Sequence, residues 1–136
     1  MEERIGSFES LEAAREFFSG DRFATEADMV IDELEPGRSV CSFVINQHHM
    51  NAEGGVMGGA IFTLMDFAFA SAASAVHRPT VAMQVSVNYL NAVKGKKLTA
   101  AAECKKDGRT SCVYNVTVTD DLEREIAQAV FTGFKR

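Results

Sequence analysis

Between Gly58 and Val76 the chain reads GGAIFTLMDFAFASAASAV, a run with one charged side chain, Asp66. No polar face interrupts it, so it does not suit a helix lying half in water. It suits either a membrane span or a helix enclosed by the rest of a fold. The length is marginally sufficient to span a bilayer. A central Asp opposes insertion by about 2.5–3.5 kcal/mol, the run is rich in Ala and Ser, and polar patterned segments follow it. A core helix is therefore expected, with no membrane partner. A carboxylate is costly to bury in such a helix, so Asp66 calls for a compensating interaction or a chemical role.

The remaining segments supply the enclosure. Ser10 is expected to cap a helix through about Phe18 that ends at Gly20. Residues 27–35 and 38–46 read as strands joined by the turn Glu35-Pro36-Gly37-Arg38. A polar loop, QHHMNAEGG, leads into the long helix. After it, Val81, Met83, Val85, Val87 and Tyr89 alternate with small or polar residues, the period of a strand with one buried face. Strands at 97–106 and 109–119 are joined by Asp107-Gly108, a two-residue hairpin signal. That register sets Lys106 opposite Arg109 and keeps Cys104 from pairing with Cys112. A last strand covers 124–134. The order predicts an α+β fold, one antiparallel sheet wrapped around one long central helix, in a single domain over residues 1–136.

Composition narrows the function. A net charge of −5 does not favour a general nucleic-acid partner. The acidic opening MEERIGSFES has no basic region followed by an apolar stretch, so no secretory leader is expected. Cys41, Cys104 and Cys112 form no CxxC pair and are expected to be reduced, buried thiols in a cytoplasmic protein. The adjacent His48 and His49 lack helical metal-ligand spacing, and no metal site is expected. Neither a G-x-S-x-G nor a phosphate-binding G-x-x-x-x-G-K-[ST] pattern occurs.

Residues 49–66, HMNAEGGVMGGAIFTLMD, resemble the hotdog-fold thioesterases of the phenylacetate-degradation (PaaI-type) group. His49, Asn51, Gly54, Gly58, Gly59, Leu64 and Asp66 match the pattern of that group, and the element order matches a hotdog domain. Met57 stands where the pattern commonly has His. The resemblance implies hydrolysis of an acyl-CoA thioester without a cofactor, by a homodimer or homotetramer. The alternative it leaves open is a non-catalytic acyl-CoA-binding protein, because Met57 brings no imidazole. A hotdog dehydratase or hydratase would pair a His with the carboxylate, and none accompanies Asp66.

Thioester hydrolysis needs an activated water or a nucleophile, and donors for the developing oxyanion. Asp66 is the candidate base or nucleophile; a buried structural carboxylate is the other reading. The Gly58 N–H, at the positive end of the helix, is the candidate oxyanion donor. Gly59 beside it leaves the helix start uncovered; close packing of the helix start would also explain both glycines. Asn51 is either a further donor or the centre of an Asx turn. Thr63 either orients Asp66 or bonds its own backbone at i−4, the preferred reading. Met57 is a candidate for lining an acyl pocket. Lys105, Lys106 and Arg109 are candidates for the coenzyme A phosphates, with Lys94, Lys96 and Lys97 as a second basic group. Gly58 and Asp66 lie eight positions apart, about 12 Å along a helix. One short side chain does not span that distance, so the expected site is composite, with Asp66 from one protomer and Gly58 from its two-fold partner.

Overall fold

The computed structural model describes residues 3–136. α1 (Leu11–Phe18) begins at Ser10, whose hydroxyl accepts the Ala13 N–H. A short α2 (Arg22–Glu26) follows. β1 (Val30–Glu35) and β2 (Arg38–Val44) form a tight hairpin. Gly37 turns that hairpin at φ +82°, a conformation that favours glycine. A 3-10 turn, Gln47–His49, precedes α3 (Gly58–Val76). β3 (Thr80–Tyr89), β4 (Lys97–Asp107), β5 (Ser111–Asp120) and β6 (Glu125–Lys135) complete the chain. All six strands make one antiparallel sheet in the order β1-β2-β4-β5-β6-β3.

The sheet curls around α3, as its composition requires. Leu64, Met65, Ala68 and Ala72 are fully enclosed. Phe69 stacks on Phe131 of β6 and meets Tyr114 of β5 edge-on. Each buried Leu, Met or Phe among them contributes roughly 1.5–3 kcal/mol. Helix and sheet approach closely at Gly133, where a Cβ would lie 2.8 Å from the Phe69 ring. Two buried hydroxyls bond the helix backbone: Ser71 donates to the Phe67 carbonyl and Ser39 of β2 to that of Ala68. This is the hotdog architecture, and α3, although long and apolar enough to cross a bilayer, is its core helix.

The sheet covers several sides of α3 and leaves one open. Gly59 and Asp66 are exposed and Phe62, Thr63 and Ala70 half-buried, a stripe at helical spacing along one side of α3. The first strand starts later than expected, at Val30, because Ala27 and Asp28 turn the chain out of α2, Asp28 at φ +65°, and the Met29 N–H bonds the Ala24 carbonyl. Of the odd positions on β3, Val85 and Val87 pack on the core, whereas Val81, Met83 and Tyr89 are exposed. A bulge between Ala82 and Gln84 shifts the register, and β3 is a sheet edge with β6 as its one neighbour.

The β4–β5 register also differs. Lys106 pairs with Val113, not Arg109, and Asp107 pairs with Cys112. A bulge after Cys104 and the capture of Asp107 by Lys135, which also donates to the Gly108 carbonyl, move the turn to residues 108–110. All three cysteines are free; Cys41 and Cys112 are buried and Cys104 is half-buried. Burial pushes the Cys41 thiol up to about 12, so it remains protonated and inert.

Asp120 staples the turn between β5 and β6 to the loop before β4. Its carboxylate accepts the N–H groups of Lys94, Gly95, Leu122 and Arg124 at 3.0–3.1 Å. Burial alone would raise its pKa; the four donors outweigh that and hold it below the usual range. The contribution to stability is therefore full above the unfolded-state pKa, about 3.9, and is lost as pH falls through the lower folded-state value. Asp120→Ala is expected to melt several degrees lower at pH 7, with the gap closing toward pH 2. Thermal denaturation at both pH values checks this.

Candidate active site

The start of α3 is held from two sides. On one, His49 is 1% exposed and its ring packs on Phe43 with centroids 4.0 Å apart. Its Nδ1 accepts the Asn46 N–H at 3.0 Å, so its Nε2 carries the proton and donates to the Ala27 carbonyl at 2.7 Å. Both nitrogens are occupied, which makes His49 a structural residue. Its carbonyl accepts the Met57 N–H at 2.8 Å and so fixes the residue ahead of the helix. On the other side, the Tyr89 hydroxyl donates to the Gly58 carbonyl at 3.1 Å.

Met57 occupies the N-cap position with extended backbone and makes no side-chain cap. Its carbonyl receives the Ala60 and Ile61 N–H groups. The Gly58 and Gly59 N–H groups have no protein partner among the described residues. They are two donors at the positive end of a 19-residue helix. Nothing in the chain demands glycine at either position. A Cβ at Gly58 would meet the Tyr89 ring at 3.6 Å and one at Gly59 the Met57 sulfur at 3.9 Å, both ordinary contacts. The close-packing explanation for the glycines therefore finds no support within the protomer. What they leave is unobstructed approach from outside.

Asn51 sits in the exposed turn before the helix. Its Oδ1 accepts the Glu53 and Gly55 N–H groups at 3.0 and 2.9 Å, an Asx turn. That bond fixes the amide orientation and leaves its NH2 group without a protein acceptor among the described residues. Thr63 donates to the Gly59 carbonyl at 2.7 Å, the i−4 backbone bond, and does not reach toward Asp66.

Asp66 lies two turns further along α3, in a groove of about 390 Å³ with Asp21, Phe23, Phe62, Thr63 and Phe67. Burial, and secondarily the like charge of Asp21, raises its pKa. Exposure of the residue and a burial-driven shift coexist because one flank faces solvent while apolar protein surrounds the other. A second groove of about 600 Å³ runs from Met57 and Gly59 past Ala60, Met29 and His48. The two grooves share Phe23, Phe62 and Thr63. They adjoin along the uncovered stripe of α3, the second with mainly apolar walls and the first with the Asp21 and Asp66 carboxylates. Phe23 of α2, 82% exposed, overhangs both.

The basic candidates separate. Lys105, Lys106 and Arg109 surround the β4–β5 turn. The Cys104 N–H bonds the Gly37 carbonyl, and the Gly37 N–H bonds Ala72 near the C-terminal end of α3. This places that basic group away from Gly58. Lys97 begins β4 opposite Val44, and the carbonyl of Lys96 just before it accepts the Ile45 N–H, at the end where the 3-10 turn and Gly58 lie. Asp21, Phe23 and Tyr89 escaped the sequence reading. Only Tyr89 left a signal there, and as a member of an alternating strand it pointed to packing. Among the described residues no three His, Cys, Asp or Glu side chains gather at metal-binding distance.

Comparison with known proteins gives the same fold and places the chain in a family. Residues 53–127 match the thioesterase superfamily. A putative esterase of Archaeoglobus fulgidus is 30% identical over 87% of this chain and 77% of the relative. The acyl-coenzyme A thioesterase PaaI of Escherichia coli is 24% identical over 89% and 87%. The solved structure of the E. coli PaaI protein superposes with a TM-score of 0.86 over 92% of this chain and 91% of that one. A hypothetical thioesterase of Streptococcus pneumoniae, solved with coenzyme A, is 31% identical, with a TM-score of 0.79 over 86% and 94%. The chain shares its hotdog fold with the PaaI protein and belongs to the thioesterase superfamily, a family of thioester hydrolases.

Proposed function

We propose that the protein hydrolyses the thioester of a small or medium acyl-CoA, with Asp66 as general base or nucleophile and the Gly58 N–H as oxyanion donor. The observation that carries this reading is the pairing, on one open face of α3, of unpartnered amide donors with a carboxylate of raised pKa. An acceptor of protons is useful at neutral pH when its pKa stands above the ordinary carboxylate range yet below the working pH. The named activity of the E. coli relative and the coenzyme A in the S. pneumoniae structure support the substrate class. Met57 and Gly59 line the apolar groove in which the acyl group would lie, with Phe62 and Thr63 along its floor. The Asn51 NH2 group is a further donor available to the carbonyl. Lys94, Lys96 and Lys97 are the basic group on the Gly58 side; Lys105, Lys106 and Arg109 would reach a phosphate only in an assembly that brings the opposite end of the sheet to the site.

The site is composite in this reading. Gly58 and Asp66 of one chain are separated by about 12 Å of helix. The uncovered stripe of α3 and the unpaired edge strand β3, with Met83 exposed on it, suit a two-fold partner. A homodimer, or a homotetramer built from it, would bring Asp66 of one protomer to Gly58 of the other. Three free thiols accord with the reducing cytoplasm.

Thiol release from a panel of short, medium, long and aryl acyl-CoAs tests the reading. Turnover of at least one is expected. Tight binding across the panel with no thiol release selects the non-catalytic alternative, in which Met57 marks a lost imidazole. Formation of an enoyl-CoA from a 3-hydroxyacyl-CoA would indicate a dehydratase.

A further inference from the structure

Tyr89 is half exposed at the end of an edge strand, yet its hydroxyl is spent on a main-chain carbonyl of the helix it faces. That carbonyl, Gly58 C=O, belongs to the same peptide unit as the Gly59 N–H. The Gly59 N–H is unpartnered among the described residues, and Gly59 lines the apolar groove beside Met57, Ala60 and Phe62. A donor on a carbonyl polarises the peptide, and the N–H at its other end becomes a stronger donor. The bond also fixes the plane of a peptide flanked by two glycines, the pair least restrained by their own side chains. The phenol ring completes the arrangement by lying against Gly58, 3.6–3.7 Å from where a Cβ would sit.

We propose that Tyr89 is a positioning residue for the reaction: its hydroxyl orients and polarises the Gly58–Gly59 peptide so that the Gly59 N–H serves as a second oxyanion donor beside that of Gly58. The inference rests on the acyl-CoA thioesterase reading and deepens it. With His49 holding Met57 from the opposite side, the two amide donors sit in a clamp made by one buried imidazole loop and one phenol. The Tyr89 hydroxyl touches no reacting atom; it acts through the peptide. Its removal therefore weakens binding of the transition state, where charge develops on the oxygen, far more than binding of the neutral thioester.

Tyr89→Phe deletes the hydroxyl and keeps the ring. Measured on the best substrate of the panel, where both proteins are folded by circular dichroism, kcat is expected to fall about 3- to 10-fold, the scale of one neutral hydrogen bond. KM should stay within about twofold, and the pH profile should keep its position, because the ionising group is elsewhere. In 1H–15N spectra the Gly59 amide proton should move upfield. A role limited to pinning β3 would lower the melting temperature and leave kcat unchanged. Wild-type kcat in Tyr89→Phe, a loss confined to KM, or an unmoved Gly59 amide overturns the proposal. Asp66→Asn, run alongside, separates the two readings: if that variant retains full turnover the thioesterase assignment of the site fails, whereas if it is inactive and Tyr89→Phe is normal only the role of Tyr89 fails.

Discussion

Asp66→Asn is expected to lower kcat for acyl-CoA hydrolysis by about 10²- to 10⁴-fold, the usual worth of a positioned acid–base group, and to raise the melting temperature at neutral pH. The two effects have one cause. Burial and the neighbouring Asp21 raise the pKa of Asp66 in the folded chain. A carboxyl whose folded-state pKa is raised binds its proton more tightly folded than unfolded. Its folded state is thus favoured at low pH and loses stability as pH rises from the unfolded value, about 3.9, through the folded one. At pH 7 the wild type carries that penalty, and Asn, nearly the same shape and uncharged, does not. The variant should therefore melt higher than wild type at pH 7, with the difference vanishing in acid, opposite in sign to Asp120→Ala. Activity of the wild type should rise with pH through the same raised pKa and then level off. Unchanged turnover in Asp66→Asn removes Asp66 from the mechanism. A lower melting temperature at pH 7 would make it a structural carboxylate.

The sequence exposes the parts of this protein that depend on local chemistry. The bounds of α3 follow from two glycines at one end and the end of an apolar run at the other. Ser10 and Gly37 mark a cap and a turn because each supplies a specific bond or backbone angle. The Asp-Gly hairpin misleads because Lys135, remote in sequence, captures Asp107 and moves the turn. α2 is one turn long and has no side-chain cap, so its five residues carry no periodic signal. In the site, Asp66, Gly58 and Asn51 are legible as a motif. The contribution of Tyr89 and the like charge of Asp21 are not, since both arise where strands and helices distant in sequence meet. The uncovered stripe on α3 is hidden for a related reason. Asp66 is its one charged residue, and Gly59, Phe62, Thr63 and Ala70 are of the same types as residues elsewhere on the helix, so composition does not separate the open side from the covered ones.

Gly58→Pro tests the oxyanion donor without disturbing the fold that presents it. Proline is favoured at the first position of a helix, where its missing N–H leaves no intrahelical bond broken. Its demand on the preceding residue is already met, because Met57 is extended at φ −64° and ψ 135°. The substitution thus removes the one donor and little else. It should fold, dimerise and bind coenzyme A thioesters, while kcat falls by about 10²- to 10³-fold, as when one donor is lost from an oxyanion hole. The same variant decides whether the site is shared between chains. Gly58→Pro protomers, mixed and refolded with Asp66→Asn protomers, would form mixed dimers in which one site carries both lesions and the other carries neither. Half the dimers are mixed in an equal mixture, and one site in each is whole, so about a quarter of wild-type activity should return. A site built within one chain has no intact copy in any such dimer, and mixing would restore nothing. Recovery therefore requires that the carboxylate of one protomer work against the helix start of its partner.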